Sequence, residues 1–250
     1  MKNSPFKAHV DLVEPMQQGK WIQTKKINYT DPNGSARVWE MAVRTTRTET
    51  TGLDAVSIFG VVTKNRVKEV VLTKQFRPPV GKVVIELPAG LIDPNESIAS
   101  TAVRELLEET GYHGTVTKES IPLFSDPGLT NANMALVTVN IDMEDARNQD
   151  PQPQLEDGEF IEVFTLPLAN LYDDLVAVCE TEGTTVDARL FHLAEGLPHR
   201  RIDLGILVSE VGLFLNIWSR DMAWNRPGHN RATRFLLRSR NRLIYLKPAE

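Results

Sequence analysis

Cysteine is almost missing from this chain. Cys179 is the only one in 250 residues, so no disulfide closes within the chain and no Cys/His metal cluster can be assembled. Nor is there an uncharged apolar run of the roughly 18 residues that a membrane-spanning helix needs, and the first twenty residues, MKNSPFKAHVDLVEPMQQGK, lack the apolar block of a secretory signal. An excess of basic residues is absent too. The 28 Lys and Arg stand against 33 Asp and Glu, a net charge of -5, which argues against a chain that lives on nucleic acid or anionic lipid. Internal repeats and low-complexity tracts are also lacking. These absences give the expectation of a soluble intracellular protein with no membrane span, placed in the cytoplasm with nuclear entry left open.

What is present suits a globular fold: 41% of the residues are hydrophobic and 24% charged. KWIQTKKINY, the turn TDPNGS and ARVWEMAVRT read as a hairpin, with Asn33-Gly34 offering positive φ. DAVSIFGVV, EVVLTKQF and VVIELPAG read as buried strands rich in Val and Ile, and MALVTVNI and EFIEVFTL read as two more. PLANLYDDLVAVCETEG and TVDARLFHLAEGL read as helices, the first entered through Pro167 and left through Gly183. Between strands, EDARNQDPQPQLEDGE reads as a polar surface loop. The expected organisation is an N-terminal β arm over 1–50, a catalytic α/β domain over 51–197 and an extension over 198–250.

The segment from Gly90 to Tyr112, GLIDPNESIASTAVRELLEETGY, carries the chemistry. Asn95 or Ser97 caps a helix running to about Thr110, and Gly111 sits where a left-handed C-terminal cap belongs. At 100° per residue, Ala99, Ala102, Val103, Leu106 and Leu107 sweep one arc, while Glu105, Glu108 and Glu109 share another. Three glutamates on one face are compatible with a solvated surface, because like-charge pairs at this spacing cost only a few tenths of a kcal/mol. The preceding ELPAG changes the balance. It brings an apolar strand into a tight turn at Gly90, so that loop carbonyls and helix carboxylates converge, and hard divalent cations take oxygen ligands.

Gly90, Glu96 and the run RELLEETGY from Arg104 meet every specified position of the signature of the Nudix hydrolases, which this chain resembles. The resemblance implies an α/β/α sandwich around a mixed sheet, and Mg²⁺-dependent hydrolysis (with Mn²⁺ as the alternative ion) of a diphosphate joined to a further group. Over roughly 15–195, GKW, DPNG, VWE, RTTR, KQFRPPVG, ELPAGLID, DPGLTN, DGEFIEV and TVDAR are similar to the ADP-sugar pyrophosphatase branch. Carried over residue by residue, the resemblance gives metal ligation to Glu105, Glu108, Glu109 and the carbonyl of Ala89. It gives Arg104 the orienting of those acids, and Glu159 the placing or deprotonating of the attacking water.

The same resemblance gives the diphosphate to Arg44 and Arg77, whose planar guanidinium forks suit phosphate oxygens. It gives adenine to Trp21 and Trp39, one from each subunit of a homodimer with exchanged N-terminal arms, and a hydrogen bond from the adenine amino group to Glu40. On residue type alone, strand tryptophans are core or interface residues. The implied substrate is a nucleoside diphosphate sugar, with ADP-ribose cleaved to AMP and ribose 5-phosphate. The alternatives are an oxidised deoxyguanosine diphosphate, another nucleoside diphosphate sugar, or a sensor that binds ADP-ribose without cleaving it; a sensor typically loses one of the helix acids, and none is lost here. From Gly196 onward the chain resembles nothing in that family. Its IDLGILVSEVGLFLNIW run and the arginines after it suggest a docking segment, yet Asp203, Glu210 and Pro227 interrupt it, so the expectation is that a chain ending near Leu197 keeps its activity.

Overall fold

A computed structural model describes residue 4, residues 7–47 and 51–197, and the backbone of two strands further on. The chain divides into two units, residues 1–202 and 203–250. In the second, β13 (Leu236–Ser239) pairs antiparallel with β14 (Arg242–Tyr245). The apolar run over 202–218 lies outside the described residues.

The N-terminal arm is a three-stranded antiparallel sheet of β1 (His9–Gln18), β2 (Ile22–Thr30) and β3 (Ala36–Arg44). The hairpin anticipated from the sequence therefore has a third strand. Pro15 hides that strand from a sequence reading, and its two irregularities, after Val10 and after Pro15, break the period. At the β2–β3 turn only Gly34 has positive φ, 83°; Asn33 does not.

The larger sheet is mixed. Its path runs β12 (Thr185–Val186), β6 (Lys82–Glu86), β5 (Val67–Arg77), β4 (Ala55–Lys64), β10 (Asn133–Ile141) and β8 (Thr115–Glu119). β11 (Ile161–Pro167) pairs with β5, β7 (Ala89–Leu91) with β4, and β9 (Leu123–Phe124) with β10. β4 with β10 and β6 with β12 run parallel; the other pairs are antiparallel. Thr185 and Val186, read with the last helix, instead form the edge strand β12.

Helices α1 (Ile98–Thr110), α2 (Leu171–Glu182) and α3 (Ala188–Gly196) cover the sheet. Period-two alternation along β5 feeds two cores. Val71 joins Val56, Ile58, Ala102, Leu106 and Val137 around α1, whereas Val70 and Leu72 join Ile85, Leu171, Leu175 and Leu190 around α2 and α3. This is the expected sandwich, with helices on both faces.

The arm is stitched to the larger sheet by backbone and side-chain bonds. The Ala42 N–H donates to the Leu129 carbonyl at 2.9 Å, the Thr130 hydroxyl donates to the Ala42 carbonyl at 2.8 Å, and the Trp39 indole N–H donates to the Gly128 carbonyl at 2.9 Å.

Candidate active site

α1 is pinned at both ends. Ser97 caps it through a reciprocal pair: the Ser97 hydroxyl accepts the Ser100 N–H at 3.1 Å, and the Ser100 hydroxyl accepts the Ser97 N–H at 2.8 Å. At the other end Gly111 takes φ 75° and donates its N–H to the Leu107 carbonyl. A Cβ there would also lie 2.4 Å from the Gln152 nitrogen, so glycine is required twice over. Fixing the ends fixes the rotation of the helix, and with it the direction of every acid. Ala102 and Leu106 enter the core as expected, but Val103 is 37% exposed and does not share their face.

The result is a groove of about 320 Å³ bordered by Gln75, Arg77, the turn Ala89–Leu91, Asp93, Arg104, Glu105, Glu108, Glu109, Glu156 and Glu159. Six carboxylates face two guanidiniums. A second hollow of about 380 Å³, between Tyr112, Pro151 and Phe164, is larger but holds no carboxylate.

Arg104 organises the acids. Its Nε donates to Glu96 Oε1 at 2.9 Å, Nη2 to Glu96 Oε2 at 2.8 Å and to the Leu91 carbonyl at 3.2 Å, and Nη1 to Glu105 and Glu108 at 2.9 Å each. Those bonds, Glu96 first, push the guanidinium pKa further up. The Arg104 contact is the main reason that Glu96 is held down at about 2, and the Thr101 hydroxyl adds a second donor.

Glu109 is only 7% exposed, so the solvated-face reading fails for this acid. Its carboxylate accepts the Ala89 N–H at 3.0 Å, tying helix to turn. Burial, reinforced by Glu105 and Glu159, pushes its pKa up to about 8 against the opposing Ala89 bond. Burial likewise raises Glu105.

Among the described residues no three acidic, histidine or cysteine side chains already enclose a single point as a metal cage. The acids expected to ligate are divided instead between Arg104 and the Ala89 N–H. The donor chemistry nevertheless fits a hard divalent cation: the groups able to ligate are carboxylate and carbonyl oxygens, the six carboxylates outnumber the two guanidiniums, and buried Glu109 makes no ion pair among the described residues that would offset its charge. Gly90 holds the space open, since a Cβ there would stand 1.9 Å from the Glu105 carboxyl. Glu105, Glu108, Glu109 and the Ala89 turn are the groups that would hold the ion.

Glu159 reaches the groove from the loop before β11, where its carboxylate accepts the Glu156 N–H at 3.1 Å. That loop is tied to the helix by the Gln154 N–H, which donates to the Glu108 carbonyl at 2.7 Å. Arg77 also borders the groove, with its Nε on Glu86 at 2.7 Å. Arg44, Trp21, Trp39 and Glu40 do not; they lie on the arm. Trp21 and Trp39 are 61% and 52% exposed, so neither is a core residue. Lys20 lays its ammonium over the Trp21 ring at 4.4 Å. Gln75, Asp93 and Glu156 border the groove without having been singled out by sequence. Gln75 was legible in principle, two residues before Arg77 on the same face of a strand.

The NUDIX domain family matches residues 53–181 of the chain. An ADP-ribose pyrophosphatase of Saccharomyces cerevisiae is 48% identical over 180 residues, 71% of this chain and 77% of that protein. An uncharacterised Nudix hydrolase of Schizosaccharomyces pombe is 48% identical over 181 residues, 72% and 87% respectively. An ADP-sugar pyrophosphatase of Mus musculus is 42% identical over 199 residues, 79% and 91%. A crystal structure described as an ADP compounds hydrolase superposes with a TM-score of 0.54 at 20% identity, covering 78% of this chain and 95% of that one, and so shares the fold.

Proposed function

This chain belongs to the Nudix family, and from that premise we propose that it hydrolyses the diphosphate of ADP-ribose and related ADP-sugars to AMP and a sugar phosphate, with Mg²⁺ as the working ion. The observation that carries the reading is the groove itself: carboxylates fixed by Arg104 and by the Ala89 N–H on one side, and the Arg77 guanidinium on the other.

A divalent ion bound there neutralises charge on the phosphoryl oxygens and makes water more acidic. The chain's own groups do the rest. Arg104 holds Glu105 and Glu108 at the groove wall, within a short swing of the Ala89 turn, and would keep part of that hold as their carboxylates turned toward an ion. Arg77 offers its terminal nitrogens to the diphosphate while Glu86 anchors its Nε. Glu159 takes the proton of the attacking water, whose oxygen joins phosphorus as the bridging P–O bond breaks.

The arm supplies the nucleoside end, from a partner subunit. On one chain the two tryptophans sit far apart along the arm. The Trp21 carbonyl accepts the Thr45 N–H, six residues beyond Trp39, and at the strand rise that places their Cα atoms on the order of 20 Å apart. A homodimer with exchanged arms brings Trp21 of one chain to Trp39 of the other, with Glu40 for the adenine amino group and Arg44 for the diphosphate.

A panel of ADP-ribose, ADP-mannose, other nucleoside diphosphate sugars and oxidised deoxyguanosine diphosphate, run with Mg²⁺, Mn²⁺ or chelator and scored by product identity, tests the reading. AMP from the ADP-sugars in Mg²⁺ alone is the expected result. Cleavage of the oxidised nucleotide without ADP-sugar turnover overturns the substrate, and binding without any turnover makes the chain a sensor.

A further inference from the structure

The groove has few hydrogen-bond donors left for a substrate, and they sit side by side. Arg104 has Nε, Nη1 and Nη2 all committed to Glu96, Glu105, Glu108 and the Leu91 carbonyl. The Ala89 N–H is taken by Glu109. Arg77 gives its Nε to Glu86, and among the described residues its two terminal nitrogens have no partner. Half-buried Gln75 stands beside it, and its side-chain amide makes no hydrogen bond among the described residues.

Both residues belong to the same face of β5, two positions apart; the backbone of Gln75 is held from both sides and that of Arg77 from one. Gln75 is opposite Ile161 on β11 and Val84 on β6, and Arg77 is opposite Lys82. An amide at the groove wall that no group among the described residues engages is free to donate to a ligand entering the groove. Every other unpaired polar side chain in the groove wall is a carboxylate, which repels an anion.

We propose that Gln75 is a substrate-binding residue: its amide N–H donates to a non-bridging oxygen of the diphosphate next to the one held by Arg77. This rests on the functional reading above. A neutral donor suits the position, because it binds a phosphoryl oxygen without competing with a cation for the carboxylates, as a lysine there would. The bond is made to the ground state and to the transition state alike, so it acts on KM more than on kcat.

The test is steady-state kinetics on ADP-ribose with Gln75→Leu and Gln75→Glu, together with calorimetric binding of a methylene-bridged ADP-ribose analogue in Mg²⁺. Leucine is tolerated in a strand, and a thermal melt checks the fold of each variant. Gln75→Leu should raise KM about tenfold, the scale of one hydrogen bond to a charged group, leave kcat within about threefold, and weaken the analogue in parallel. Gln75→Glu, the same size with the donor replaced by a charge, should lose still more affinity. An active wild type whose KM and analogue affinity are unchanged in Gln75→Leu overturns this proposal alone. A wild type inert toward every ADP-sugar overturns the functional reading and this proposal with it.

Discussion

Arg47 brackets the carboxylate of Asp54 with two hydrogen bonds, Nε to Oδ1 at 2.9 Å and Nη2 to Oδ2 at 2.7 Å, and the same Nη2 reaches the Asn131 carbonyl. The Asp54 side chain is 1% exposed, and it also accepts the Asn133 N–H. This pair joins the end of the arm to the first strand of the larger sheet and to the segment leading into β10. Of the two arginines in RTTR, Arg47 is therefore the structural one.

Removing one partner of a buried pair strands the other charge. Arg47→Ala should lower the unfolding free energy by about 3–5 kcal/mol, read from urea denaturation. A loss below about 1 kcal/mol would class the pair with surface ion pairs.

Glu109→Gln keeps an oxygen to accept the Ala89 N–H, so the fold should survive while the charge facing the ion disappears. The expected effect is a drop in kcat of roughly a hundredfold or more, measured at saturating Mg²⁺. Unchanged turnover in a folded variant would remove Glu109 from the metal site.

Gly90→Ala places a methyl where the Glu105 carboxyl now lies, at 1.9 Å. Glu105 must swing away and leave Arg104. Activity should fall at least tenfold, a drop of about 1.4 kcal/mol in transition-state stabilisation, with the apparent affinity for Mg²⁺ weakened in a metal titration. A variant with normal metal dependence would show that Glu105 does not need its present position.

The adenine site proposed to be shared between subunits predicts complementation. Trp21→Ala and Trp39→Ala homodimers should each bind ADP-ribose poorly, whereas mixed dimers gather both lesions in one site and leave the other intact. Tight binding should therefore return on mixing; mixed dimers that form without any recovery would place the tryptophans in separate roles.

Asp187 caps α3, accepting the Arg189 and Leu190 N–H groups, and pairs with the Arg189 guanidinium at 2.6 Å. Burial pushes its pKa up, but Arg189 and the two backbone donors outweigh burial and hold it below the ordinary aspartate value. A lowered folded pKa gives stability that is complete above the unfolded value of about 3.9 and fades as pH falls through the folded one. Asp187→Asn retains a capping oxygen and loses the charge. Its stability deficit should be constant above about pH 5 and shrink toward pH 3 in denaturant titrations; a deficit that grows on acidification would reverse the assignment.

The chain order of residues was enough for α1. Its stop at Gly111 and the acid spacing are set within one stretch, because helical periodicity and capping are local, while the choice of Ser97 over Asn95 as its cap came from the structure, where Asn95 takes φ 72°. The Val- and Ile-rich strands were legible for the same reason. What the chain order did not contain is the partnering of distant residues. Arg47 finds Asp54 and Asn131, Trp39 finds Gly128, and Glu109 is buried at the groove wall against the Ala89 N–H. β1 stayed hidden because Pro15 and two irregularities break the short alternation that Val10 and Leu12 begin. Gln75 passed unnoticed because an amide on a strand acquires meaning only when its neighbours prove to be acids and its own hydrogen bonds prove to be missing. Sequence determined which groups are available; packing decided which are spent on holding the protein together and which are left for a ligand, since burial and hydrogen-bond satisfaction depend on every neighbour in space.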